Sequence, residues 1–183
     1  MIFERGYFDN KVVNESKIND SYRTIRKFNS NTEYSNKPTV FLSHKHDDLN
    51  DLKGVIGLLE EYGAKIYIDS MDKNLPNETT WETAKRIKKV IKFSKKFILL
   101  ATDKAIESDW CNWELGIGDT YKYIDNIAIL PMKEKVSNVS RYKYKGNEYL
   151  QIYPQIEFRD GTTKYKNGKI ILKGYYVRLP SND

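Results

Sequence analysis

Thr39-Val40-Phe41-Leu42-Ser43 is a short apolar run of β-branched and aromatic residues, introduced by Pro38. A run of that length without polar alternation marks a strand buried on both faces. The pattern then changes period. From Asp48 to Tyr62, Leu52, Val55, Ile56 and Leu59 recur at helical spacing, and Gly63 stands where a helix stops. Ala64 to Ile68 reads as a second strand, ended by Asp69. Met71 to Thr80, with Pro76 and Asn77, reads as a loop, and Thr80 can cap a helix from Trp81 to about Lys95. Phe97 to Ala101 is a third buried strand. A helical stretch runs on to about Tyr123, and Asn126 to Leu130 is a fourth strand stopped by Pro131.

Strands alternating with helices predict right-handed crossovers and an open parallel sheet with helices on both faces, an α/β architecture. Ligands in such sheets sit outside the carboxyl ends of the strands. Those ends are Ser43-His44-Lys45-His46-Asp47, Asp69 to Thr80, and Thr102 onward. The central domain is expected over 37–158. Residues 1–36 form a polar N-terminal extension in which a helix from Asn14 to Phe28 carries Ile18, Tyr22 and Ile25 on one stripe. It is expected to pack on the domain or mediate assembly. In the last part, Tyr149-Leu150-Gln151-Ile152 reads as an edge strand. Residues 159–183 hold the turn dipeptides Asp160-Gly161 and Asn167-Gly168 and the apolar run Lys169 to Leu172, the pattern of a small antiparallel hairpin.

Composition narrows the function classes. Net charge is +6 over 183 residues, which raises the question of nucleic acid. The densest basic run (Lys85, Arg86, Lys88, Lys89, Lys92, Lys95, Lys96) follows a helix whose other side is Ile87, Val90 and Ile91, so it reads as a solvated face. Such a surface still attracts an anionic dinucleotide. Cys111 is the lone cysteine, which excludes an internal disulfide and a cysteine metal cluster and fits a reducing cytoplasm. No apolar run is long enough to span a bilayer, and the N-terminus lacks the pattern of a signal peptide.

Familiar catalytic kits are missing. There is no G-x-x-x-x-G-K-[ST] loop and no G-x-G-x-x-G after the first strand. The two histidines, His44 and His46, are spaced two apart in a loop, so no metal site is expected. Cys111 has no histidine near it in sequence, and small apolar packing is its expected role. What remains is Asp109-Trp110-Cys111-Asn112-Trp113-Glu114-Leu115, read as the opening of a helix. Trp110 and Glu114, four apart, share a helix face and can point into one cleft. An aromatic plate beside a carboxylate suits a flat cationic ring whose sugar develops positive charge. Spacing alone favours Trp110 in the core and Glu114 in water; the place of the motif just after the third strand brings the cleft reading level with it.

The stretch from Lys37 to Met132 resembles a TIR domain. Val40-Phe41-Leu42-Ser43-His44 followed by Asp47 is similar to that family's first strand and acidic turn. Ala64-Lys65-Ile66-Tyr67-Ile68-Asp69 is similar to the second strand leading into the long functional loop, with Pro76-Asn77 where a Pro-Gly pair is common. Trp81 to Ala101 resembles the next helix and third strand. Ser108-Asp109-Trp110-Cys111-x-x-Glu114 is similar to the S-x-W-C-x-x-E signature. The resemblance implies a flavodoxin-like fold. It also implies cleavage of NAD+ between nicotinamide and ribose with Glu114 as the catalytic glutamate, while Trp110-x-x-x-Glu114 matches a pattern linked with cyclisation.

Nicotinamide bonded to ribose is already a cationic leaving group, so the reaction calls for no cofactor or metal, with NAD+ as the substrate. One carboxylate can stabilise the oxocarbenium character or hold the ribose hydroxyls. Cyclisation is expected to need a water-free site and attack by an adenine nitrogen. Beside Glu114, the candidate substrate contacts are Ser43, His44, Asp69, Trp81 and Trp110. A stand-alone domain of this kind is similar to the signal-producing component of the Thoeris anti-phage system. Its output is expected to be a diffusible product that acts on a separate effector protein, with self-association completing the site. Two other readings stay open: a non-catalytic TIR module that only assembles complexes, and an α/β hydrolase of nucleosides or nucleotides.

Overall fold

The computed structural model describes residues 3–11, 39–71, 80–133, 147–158, 169–172 and 175–178. The expected helix from Asn14 to Phe28, the loop around Pro76-Asn77 and the two turn dipeptides of the last part lie outside them. The strands are β1 (Phe3–Glu4), β2 (Thr39–Ser43), β3 (Lys65–Tyr67), β4 (Lys96–Ala101), β5 (Ile127–Lys133), β6 (Gln155–Phe158), β7 (Lys169–Leu172) and β8 (Tyr175–Arg178). The helices are α1 (Leu49–Glu61), α2 (Trp81–Phe93), α3 (Asp103–Ile106) and α4 (Asp109–Tyr121), with short 3-10 turns between elements.

Among the described residues the sheet runs β3-β2-β4-β5-β6-β8-β7, and β1 pairs with β5 off this path. β3, β2, β4, β5 and β6 are mutually parallel. β6 and β8, and then β8 and β7, pair antiparallel, so the sheet ends in the hairpin that the sequence leads one to expect. Alternation along each strand sorts the core into two layers. Val40, Leu42, Ile98, Leu100 and Leu130 pack with Leu52, Val55, Ile56 and Leu59 of α1. Phe41, Phe97, Leu99, Ile127 and Ile129 pack with Ile87 and Ile91 of α2 and Leu115 of α4. Helices therefore cover both faces.

The local signals behave as their chemistry dictates. Thr80 caps α2 with a capping box, its hydroxyl accepting from the Thr83 N–H. Gly63 at φ 81° closes α1, with its N–H on the Glu60 carbonyl and the Ala64 N–H on that of Leu59. The lysines of α2 stand in solvent opposite buried Ile87 and Ile91.

Two expectations are overturned. Residues Glu148–Ile152 form a 3-10 turn and not an edge strand, which comes later at Gln155–Phe158. Leu150 alone plugs the core while Tyr149 and Ile152 are exposed, a period of about three rather than two. Pro131 does not stop β5, which runs on to Lys133. It pairs with Ala101, the last residue of β4, so its missing N–H falls where that ladder already ends.

Candidate active site

Three strands deliver the site. β2 ends in Ser43 and hands over to His44, β3 leads to Asp69, and after β4 the chain turns into α3 and α4. Ser108 caps α4, its hydroxyl accepting from the Cys111 N–H at 3.5 Å. That start fixes the phase of the helix. Cys111, Glu114 and Leu115 turn inward, Trp110 is half-buried, and Trp113 lies further out with its ring 4.8 Å from that of Trp110.

Glu114 is 1% exposed, an unusual place for a carboxyl. The Ser43 hydroxyl donates to its Oε2 at 2.5 Å. Its Oε1 is buried with no hydrogen-bond partner among the described residues. Burial pushes the Glu114 carboxyl well above the ordinary glutamate range, and the negative charge of Asp69 adds to the rise. Ser43 and Trp110 pull it back in part.

The second buried group is His44. Its Nε2 lies 2.9 Å from the Ser70 hydroxyl, and its Nδ1 lies 3.7 Å from Asp69 Oδ1, too far for a hydrogen bond. Nδ1 is thus a further buried polar atom without a hydrogen-bond partner among the described residues. Burial lowers the affinity of the imidazole for a proton, partly offset by Asp69, which leaves the ring neutral at pH 7. Asp69 takes the Ser70 N–H on Oδ1 at 2.7 Å, and the contact of the Ser70 hydroxyl with His44 Nε2 ties the start of the loop after β3 to the end of β2. The Cys111 thiol donates to the His44 carbonyl at 3.3 Å, and burial pushes it up to about 11. A thiol held there is not a nucleophile at neutral pH.

The sequence-derived set is therefore gathered in part. Ser43, His44, Asp69 and Glu114 form one buried polar group, and half-buried Trp110 packs against the adjoining apolar core with its side chain beside Glu114. Trp81 does not join it. It stands at the start of α2, 70% exposed, with the Lys85 ammonium 5.7 Å above its ring. Ser70, which holds His44, went unrecognised in the sequence. Its only signal is its place directly after an acid at a strand end.

Residues 40–167 match the TIR domain, and the chain belongs to that family. A protein of Bacillus cereus (strain MSX-D12), named probable 3' cyclic ADP-D-ribose synthase ThsB', is 28% identical over 145 residues, covering 78% of this chain and 70% of its own length. A second relative, probable 2' cyclic ADP-D-ribose synthase TcpO of Methanobrevibacter olleyae, is 22% identical over 151 residues. That match covers 78% of this chain but 43% of the relative.

Proposed function

We propose that this TIR domain cleaves the nicotinamide–ribose bond of NAD+ and converts the remainder into an ADP-ribose-derived signal, in the main cyclic. The observation that carries the reading is the Glu114 carboxyl, buried at the carboxyl edge of the sheet with Oε2 held by Ser43 and Oε1 without a hydrogen-bond partner among the described residues. A buried acceptor left open costs stability unless a ligand completes it. The names of the two relatives, synthases of cyclic ADP-D-ribose, support the same chemistry.

In this reading NAD+ brings its own positive charge into the site. That charge favours the ionised form of Glu114, so binding and ionisation reinforce each other. The C–N bond to nicotinamide breaks with its electron pair leaving on the ring nitrogen, and nicotinamide departs neutral. Glu114 stabilises the oxocarbenium-like ribose, and Ser43 keeps the carboxylate aimed. Trp110 offers an aromatic face beside Glu114, and His44 and Asp69 complete the polar wall. Water attack gives ADP-ribose and a proton. The 3' and 2' positions in the relatives' names are ribose positions, so for a cyclic product we take a ribose hydroxyl as the attacking group in place of an adenine nitrogen. The new C–O bond closes the ring and the hydroxyl proton is released.

The product acts on a separate effector in anti-phage defence, and self-association in the cytoplasm completes the active form. No described helix is long and apolar enough to cross a membrane. Mass spectrometry of NAD+ incubated with concentrated protein tests the reading. Nicotinamide with a cyclic ADP-ribose isomer is the expected result, and intact NAD+ at high protein concentration would overturn it in favour of a non-catalytic module.

A further inference from the structure

Residues 3–9 precede the family match at residue 40, yet they are bolted into the edge that carries the site. Phe3 pairs with Met132 and Glu4 with Lys133 of β5, and the Arg5 N–H donates to the Lys133 carbonyl at 3.0 Å. The Arg5 guanidinium then forks. Nη2 donates to Asp48 Oδ1 and Nε to Asp51 Oδ2, each at 2.9 Å. The Gly6 N–H donates to Asp51 Oδ1 at 2.7 Å, and the Thr102 hydroxyl donates to Asp48 Oδ2 at 2.6 Å. Thr102 also caps α3 by accepting from the Ala105 N–H. Phe8 seats so closely on α1 that a Cβ on Gly54 would lie 2.5 Å from its backbone oxygen.

Arg5 and Asp48 together thus join the segments that follow β2 and β4 to the end of β5, Arg5 through its backbone to Lys133 and its guanidinium to Asp48, and Asp48 onward to Thr102. Those are the segments that present Ser43 and His44 on one side and lead into α4 on the other. A planar fork suits this task because it satisfies two carboxylates at once in a fixed geometry. We propose that the N-terminal segment is a working part of the nucleotide site and that Arg5 is a positioning residue, holding the His44–Asp48 and Thr102–Ile106 segments in register for the reaction at Glu114. This rests on reading that edge as the NAD+ site.

The test compares wild type with Arg5→Lys and with the triple change R5M/D48N/D51N, which raises the net charge by one and removes the guanidinium together with both carboxylates it pairs. Amide hydrogen exchange is followed over 44–48 and 102–106, with 96–101 and 109–121 as internal controls. Nicotinamide release gives kcat and KM. The expected result for the triple variant is exchange about ten-fold faster in the two loop segments with the controls unchanged. Its kcat falls about ten- to hundred-fold with KM nearly constant, and Arg5→Lys lies between. Unchanged loop exchange, or faster exchange with unchanged kcat, overturns the proposal. If the triple variant does not fold, Arg5→Lys decides it by the same two readouts. A wild type that releases no nicotinamide overturns the glycohydrolase reading alone; the loop exchange then decides this one.

Discussion

Asp48 and Glu114 are both fully buried acids at the same edge of one sheet, and they are treated in opposite ways. Asp48, before α1, has both oxygens taken, one by the Arg5 guanidinium and the other by the Thr102 hydroxyl. Glu114, in the second turn of α4, has one oxygen on Ser43 and the other without a hydrogen-bond partner among the described residues. A satisfied acid holds loops together, whereas an unsatisfied one raises the energy of the empty protein and waits for a partner. The difference separates structure from site without reference to sequence motifs.

The largest effect is expected on the satisfied side. Asp48→Ala leaves the Arg5 guanidinium with Asp51 alone and the Thr102 hydroxyl without its acceptor, which should cost about 2–3 kcal/mol in urea unfolding. A loss under about 1 kcal/mol would mean that the network is solvated and the contrast false.

On the open side, Ser43→Ala removes the hydrogen bond on Glu114 Oε2 and a force that holds its proton affinity down. We expect kcat/KM for nicotinamide release to fall about ten- to hundred-fold at neutral pH. The loss should shrink at higher pH, where the carboxyl is ionised in any case.

The pH profile sharpens the comparison further. Because burial raises the Glu114 carboxyl, activity should fall with acidification through an acid limb above the ordinary glutamate range. The limb should lie lower in kcat than in kcat/KM, since bound NAD+ favours the carboxylate. Equal limbs at the ordinary glutamate value would show that Glu114 is solvated in the working enzyme.

The smallest effect separates two tryptophans. Trp110→Ala, beside Glu114, should lower kcat/KM about ten-fold, while exposed Trp81→Ala should stay within about two-fold. Equal losses would bring Trp81 back to the substrate.

Much of this was legible beforehand. The four central strands and the helices between them follow from periodicity, because burial on both faces writes continuous apolar runs such as Phe97 to Ala101. Glu114 could be singled out because its helix follows a strand end. The error at Tyr149–Ile152 has a local cause: over four residues, one buried Leu150 cannot distinguish a strand from a 3-10 turn. Pro131 misled because a proline's missing donor matters only where a ladder partner waits. Arg5 was illegible for a different reason. Its partners Asp48 and Asp51 are more than forty residues away, and no periodic pattern encodes a long-range ion pair.

Glu114→Gln, assayed for both activity and stability, tests the central claim most directly. Glutamine keeps the shape and removes the charge. The folded-state carboxyl takes its proton more readily than the unfolded one, so it stabilises the fold only at low pH, and that stability is lost as pH rises through the raised value. On this claim nicotinamide release is at least about a thousand-fold slower, and the melting temperature lies about 2–4 °C above wild type at neutral pH, with the gap closing on acidification. A variant that releases nicotinamide at the wild-type rate, or one that melts lower at neutral pH, would contradict it.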